Sequence, residues 1–127
     1  MTLVLDAGAL LAIEKGDREA MALLKNELAA GRVPLTHGGI VGQAWRGGAG
    51  RQARLARLLP GLTVVPLDAD LGKRAGVLLG KTRTTDVVDA ALVLLAAHTD
   101  RLLTSDPEDL ARLAEAAGLE LEIVRVG

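Results

Sequence analysis

A chain of 127 residues, half of them apolar, holds enough material for one domain with a real core and not for two. Its net charge of −1 creates no overall field toward nucleic acid or membrane, and the absence of Cys removes disulfides, thiolate zinc sites and a cysteine nucleophile. The longest uncharged apolar run, Ala90 to Ala97, is far short of the ~20 residues that span a bilayer, and no basic segment leads into an apolar one at the N-terminus, so a soluble, untargeted, cytoplasmic protein is expected.

Along the chain, short β-type runs alternate with helical patterns. The first, "LVLD" (Leu3 to Asp6), ends on an acid and passes through Gly8 into a helix over Ala9 to Glu14, followed by a second helix over Arg18 to Ala30. "VPLT" (Val33 to Thr36) is the next strand, with helices over Ile40 to Arg46 and Arg51 to Leu59 after it. "TVVPL" (Thr63 to Leu67) is the third, followed by helices over Asp68 to Leu79 and Val87 to His98. "LLTS" (Leu102 to Ser105), a helix over Pro107 to Ala117 and "EIVRV" (Glu122 to Val126) complete the chain. Breaks at Gly31, Gly61, Gly80 and Gly118 fit helix ends and turns. This alternation predicts an α/β domain spanning 1–127, a central parallel sheet with helices on both faces.

In such a sheet the C-terminal ends of the strands form one edge, where ligands bind. Asp6 and Asp106 both follow strands; Asp86 and Asp89 open the helix at Val87, which continues with eight apolar residues. Each acid has an ordinary alternative role. Asp106 before Pro107, Glu108 and Asp109 has the form of a helix N-cap, and Asp86 with Asp89 resembles a capping box. Their shared edge shifts the weight, since carboxylates gathered in a dry site repel unless a cation offsets them. Oxygen donors without Cys or a helical His pair suit Mg²⁺ or Mn²⁺. His37 and His98 are isolated, Ser105 has no base beside it, and no phosphate loop occurs.

The charges are uneven. Between Leu28 and Leu67 there is no acid, while Arg32, Arg46, Arg51, Arg54 and Arg57 fall there. Arg51, Arg54 and Arg57 recur every three residues, roughly along one side of a helix, where they would be a solvated face or meet phosphates or an acidic partner.

"LVLDAGALLA", "TTDVVDAALVLLAA" and "LLTSDPEDL", in this order, resemble the successive motifs of the PIN-domain nucleases, in particular the VapC-like toxins of type II toxin–antitoxin systems. The resemblance covers almost the whole chain. It implies a three-layer α/β/α domain and an Mg²⁺- or Mn²⁺-dependent endoribonuclease. Asp6 matches the first metal-binding acid, Asp89 the main acid of its helix and Asp106 the acid after "TS", with Asp86 auxiliary. The family's usual Glu after the second strand is replaced here by Gln43 in "IVGQAWR", which supplies no charge for a second cation. Arg46, Arg51 and Arg54 are the candidate RNA contacts. The implied partner is a VapB-like antitoxin, and a mean hydropathy of +0.30 adds the expectation of a homodimer. A catalytically silent PIN-like binding module, suggested by Gln43, and a receiver-like Mg²⁺-binding signalling domain are the alternatives.

Overall fold

The computed structural model describes residues 1–47 and 50–127. Five parallel strands form one sheet: β1 (Leu3–Leu5), β2 (Leu35–His37), β3 (Thr63–Val65), β4 (Arg101–Thr104) and β5 (Glu122–Arg125), in the order β3-β2-β1-β4-β5. Strand β1 is buried throughout, and Leu102 and Leu103 of β4 are fully buried, as central strands covered on both faces require. Helices α1 (Ala7–Glu14), α2 (Arg18–Ala29), α3 (Gly38–Ala44) and α4 (Ala53–Leu58) pack around α1, and a short 3₁₀ turn, Leu59–Gly61, prolongs α4. Helices α5 (Ala69–Thr82), α6 (Val87–Leu95) and α7 (Pro107–Ala116) pack on one another as the other layer. The three-layer α/β/α architecture is the one expected from the sequence.

The strand order places a reversal between β1 and β4: the chain winds outward from β1 through β2 to β3, then returns to β4 and continues to β5. A crevice opens at such a point beyond the strand ends. Register fixes what faces it. Leu5 pairs with Leu103, so Asp6 comes level with Thr104, and the Asp6 backbone N–H donates to the Leu103 carbonyl at 3.2 Å.

Several expected boundaries move; α1 begins at Ala7 and α3 spans Gly38–Ala44, each starting two residues earlier than expected. Helix α5 runs through Gly80 to Thr82 and stops at Arg83, in the left-handed region at φ 56°; the Thr82 hydroxyl turned onto the Leu78 and Leu79 carbonyls marks that end. Helix α6 stops at Leu95 instead of His98, because the Asp100 carboxylate folds back to accept from the Ala97 and Thr2 N–H groups and turns the chain into β4. His98 lies beyond the helix, its Nδ1 accepting from the Glu120 N–H. Helix α4 begins at Ala53, so Arg51 precedes it and the three-arginine stripe reduces to Arg54 and Arg57. The cause is Gln52, which is buried and non-helical: its Oε1 accepts from the Arg46 N–H at 2.7 Å and its Nε2 donates to the Ala44 carbonyl at 2.8 Å, tying the end of α3 to the start of α4.

Candidate functional site

The apolar run of β1 drives its end deep into the sheet layer, leaving Asp6 only 7% exposed. Its carboxylate caps α1, accepting from the Ala9 N–H at 2.8 Å, and also takes a hydrogen bond from the Thr104 hydroxyl. Burial pushes the Asp6 pKa up; the hydrogen bonds from Thr104 and from the Ala9 and Gly8 backbone pull the other way, and the charge of Asp106 raises it further. Thr104, fully buried, also accepts from the Asp106 N–H at 2.8 Å. One hydroxyl thus ties the Asp6 side chain to the Asp106 backbone.

Asp106 does not cap α7. It stands in the N-cap position with φ −133° and ψ 79°, makes no capping hydrogen bond, and is exposed. Pro107 supplies the pre-set first helical residue and has no N–H to satisfy, so the carboxylate is left without that local task. Asp86 does cap, accepting from the Asp89 N–H at 3.0 Å. Asp89, half-buried in the first turn of α6, has a pKa pushed up to about 7: burial contributes most, then the Asp86 charge, a hydrogen bond to Asp86, and the charges of Asp6 and Asp109. Asp109, in the first turn of α7, was not among the residues expected here; its place beside Glu108 gives only the ordinary signal of an acidic first turn.

The four expected acids therefore face one edge. Asp6 feels Asp106, and Asp89 feels Asp86 and Asp6. The edge is wetter than the apolar context of Asp89 suggests, since Asp86 and Asp106 are both exposed. Among the described residues, no three of these side chains already surround a common point at ligand distance. The donor set nonetheless fits a hard divalent cation: all donors are carboxylate oxygens, and burial first, then the neighbouring carboxylates, keep Asp89 partly protonated at neutral pH. Asp6, Asp89 and Asp106 are the residues that could hold it.

His37 is buried and acts as a bracket. Its Nδ1 accepts from the Gly39 N–H at 3.1 Å, which leaves Nε2 to donate to the Val88 carbonyl at 2.8 Å. This bond joins the end of β2 to the first turn of α6, one residue from Asp89. Burial lowers the His37 pKa, so the ring is neutral. Gln43 lies exposed in the second turn of α3. Arg46, also exposed, donates from Nη1 to the Gly42 and Trp45 carbonyls, and Arg54 donates to the Glu14 carbonyl, so each is partly committed within the chain; Arg51 is exposed in the turn.

No protein-family model matches the sequence, and no curated protein matches it either. In structure, the chain is similar to a chain of the crystal structure of VapBC2 from Rickettsia felis bound to a DNA fragment from their promoter, with a TM-score of 0.71 over 98% of this chain and 99% of that one, at 17% sequence identity. The fold is PIN-like. At such an identity the likeness is one of fold, and the chemistry rests on the side chains above.

One cleft on this PIN-like domain lies away from the acids. It measures ≈ 440 Å³ and lies between α1, α2 and α4, with Ile13, Met21, Leu24, Leu28 and Leu58 along it and Lys25, Arg54 and Arg57 at its rim. An apolar groove bordered by cations suits an amphipathic helix that carries acids. Among the described residues no helix is long and apolar enough to cross a membrane.

Proposed function

We propose that this chain is a VapC-like toxin: an Mg²⁺- or Mn²⁺-dependent endoribonuclease held in check by a VapB-like antitoxin. The observation that carries the proposal is the convergence of Asp6 and Asp106 at the reversal between β1 and β4, with Asp89 electrostatically coupled to Asp6 and its carboxyl pushed up to about 7. Shifts by burial and like charge of this kind cluster at functional sites. Asp106 adds to it, because a carboxylate in a cap position that does not cap is free for another ligand.

Asp6, Asp89 and Asp106 would hold the cation, with Asp86 assisting. When bound, the metal supplies a water of lowered pKa and neutralises charge developing on the phosphate oxygens. The chain's own part is positioning. Thr104 keeps Asp6 and Asp106 in register, His37 keeps α6 against β2, and the N-termini of α1, α6 and α7 direct partial positive charge at a phosphate on this edge. Gln43 adds no charge, which favours occupancy by one cation. Arg46, Arg51 and Arg54 are proposed contacts of flanking RNA, and with one Trp as the sole aromatic residue the contacts are made to backbone and shape.

The antitoxin proposal draws on the structural neighbour, itself a VapBC complex, and on the groove. An apolar helix seated along Ile13, Leu24 and Leu28, with acids toward Lys25, Arg54 and Arg57, fits its chemistry. A silent binding module is the second reading, favoured by Gln43 and by the lack of a ready-made three-acid ligand set among the described residues. Cleavage of structured RNA with Mg²⁺ or Mn²⁺, with and without chelator, beside the Asp6→Asn variant, decides between them. Metal-dependent cleavage lost in the variant supports the nuclease; equal background cleavage in all arms removes it.

A further inference from the structure

A second, smaller cleft is lined in part by residues that follow Asp6 and precede Asp106 in the chain. It measures ≈ 220 Å³, runs along α1 beside the turn from β4 into α7, and is lined by Gly8, Leu11, Ala12, Lys15, Ser105 and Gly127. It starts at Gly8, two residues after Asp6, and at Ser105, which directly precedes Asp106. The turn lies so close to α1 that a Cβ at Gly8 would stand 2.0 Å from Ser105 Oγ and 2.8 Å from its Cβ. Glycine at position 8 is what lets the Ser105 hydroxyl occupy the mouth of the cleft.

Two polar groups in this cleft have no task inside the fold. Among the described residues the Ser105 side chain makes no hydrogen bond and Lys15 makes no ion pair. The acids nearest Lys15 in sequence are bound to backbone: Glu14 accepts from the Leu55 N–H, and Asp17 from the Ala20 N–H and, at the edge of the cleft, from the Gly127 N–H. Between Ser105 and Lys15 the floor is apolar, formed by Leu11, 37% exposed, and Ala12. Lys15 lies seven residues beyond Gly8, about 10 Å along the helix axis. The cleft is smaller than the ~300 Å³ at which pockets for drug-sized molecules begin, and suits one nucleotide unit.

We infer that this cleft carries the RNA strand away from the acid edge, a step that rests on the nuclease function proposed above. The Ser105 hydroxyl donates to a phosphate oxygen next to the scissile one, Leu11 and Ala12 underlie the sugar, and the Lys15 ammonium meets the following phosphate. The contacts fall on backbone and no aromatic residue lines the cleft, so they position the strand without reading its bases.

The experiment is steady-state cleavage of a labelled single-stranded oligoribonucleotide by the full chain with Mg²⁺ or Mn²⁺, over a range of salt. Lys15→Gln should raise KM by about 3- to 10-fold, leave kcat unchanged, and flatten the log–log salt dependence by about 0.7, the value of one phosphate contact on a single strand. Lys15→Arg should restore both, and Ser105→Ala should raise KM in the same direction. Lys73→Gln, an equal loss of charge on α5 in the other helical layer, should leave KM and the salt slope unchanged. If the wild-type chain cleaves and Lys15→Gln keeps its KM and slope, or Lys73→Gln shifts them equally, the cleft is not the strand path although the nuclease stands. If the wild-type chain cleaves structured RNA but neither binds nor cleaves the oligonucleotide, the strand path falls although the nuclease stands; if it cleaves neither RNA, the nuclease function falls and the strand path with it.

Discussion

Replacing Asp89 by Asn tests the acid edge through stability before any RNA is added. The Asp89 carboxyl is raised from 3.8 to about 7, first by burial and then by Asp86, Asp6 and Asp109, so the native state holds its proton more tightly than the unfolded chain does. Stability from this group is complete below about 4 and is lost as pH rises toward 7. The interval caps the loss at about 4 kcal/mol, and solvent reaching the half-buried group screens it to about 1–2 kcal/mol. Asn resembles the protonated acid, since its NH₂ can donate to Asp86 as that acid does, and it never ionises. Without metal, Asp89→Asn should match the wild type at pH 4 and exceed it at pH 8 by about 1–2 kcal/mol, roughly 4–8 °C in Tm for a domain of this length. Mg²⁺ or Mn²⁺ should raise the wild-type Tm at pH 8 and leave the variant nearly unmoved. Thermal unfolding followed by circular dichroism at the two pH values, with and without metal, reads all four quantities. A variant less stable than the wild type at pH 8, or equally stabilised by metal, would refute the reasoning, because the carboxylate would then be a stabilising group of the fold and not an uncompensated charge.

Asp106→Ala should change stability by no more than about 0.5 kcal/mol while abolishing cleavage, whereas Asp6→Ala, which removes a cap, should cost about 1 kcal/mol or more; urea unfolding beside an RNA assay separates the two, and equal costs would mean that Asp106 caps in solution. Gln43→Glu should tighten Mn²⁺ binding and leave cleavage unchanged or faster, and calorimetry showing unaltered affinity and stoichiometry would remove Gln43 from the metal's surroundings. Gly8→Ala should destabilise by about 1–3 kcal/mol through its clash with Ser105, and Ser105→Gly in the same chain should recover part of that; no recovery would place the strain elsewhere. The exposed side of α5, with Val77 66% exposed and open space beside Gly72, Gly76 and Gly80, leaves room for a second copy, and light scattering that finds a monomer at tens of micromolar would count against a dimer.

The strands and the acids at their ends are legible because burial on both faces demands uninterrupted apolar runs, and an acid that breaks such a run marks where the chain leaves the core. Helix ends read less well. Gly80 has the residue type of a stop, yet α5 passes through it, since a glycine costs an exposed helix only about 1 kcal/mol and the Thr82 hydroxyl sets the end two residues later. Asp106 has every sequence mark of a cap and does not cap, a matter of backbone angles that residue types do not encode. His37 and Gln52 escape a linear scan for the same reason: their partners, Val88 on one side and Ala44 with Arg46 on the other, are chosen by the packing of elements and not by spacing. The coupling of Asp109 to Asp89 likewise exists only once α6 and α7 lie side by side.

The reversal between β1 and β4 also sets when the acid edge can exist. Asp6 follows the first of these five strands, yet its neighbour Thr104 arrives with the fourth, and the pairing is closed by contacts such as that of the Thr2 N–H with Asp100, 98 residues apart. Contacts of such long range form late and slowly. During synthesis Asp6 is therefore made long before Asp89 and Asp106, and the crevice closes only when β4 slots between β1 and the incoming β5. If the chain acts as the nuclease proposed above, this order keeps it inactive toward the RNA around it during translation, and a chain halted before Arg101 should be inert however much metal is present.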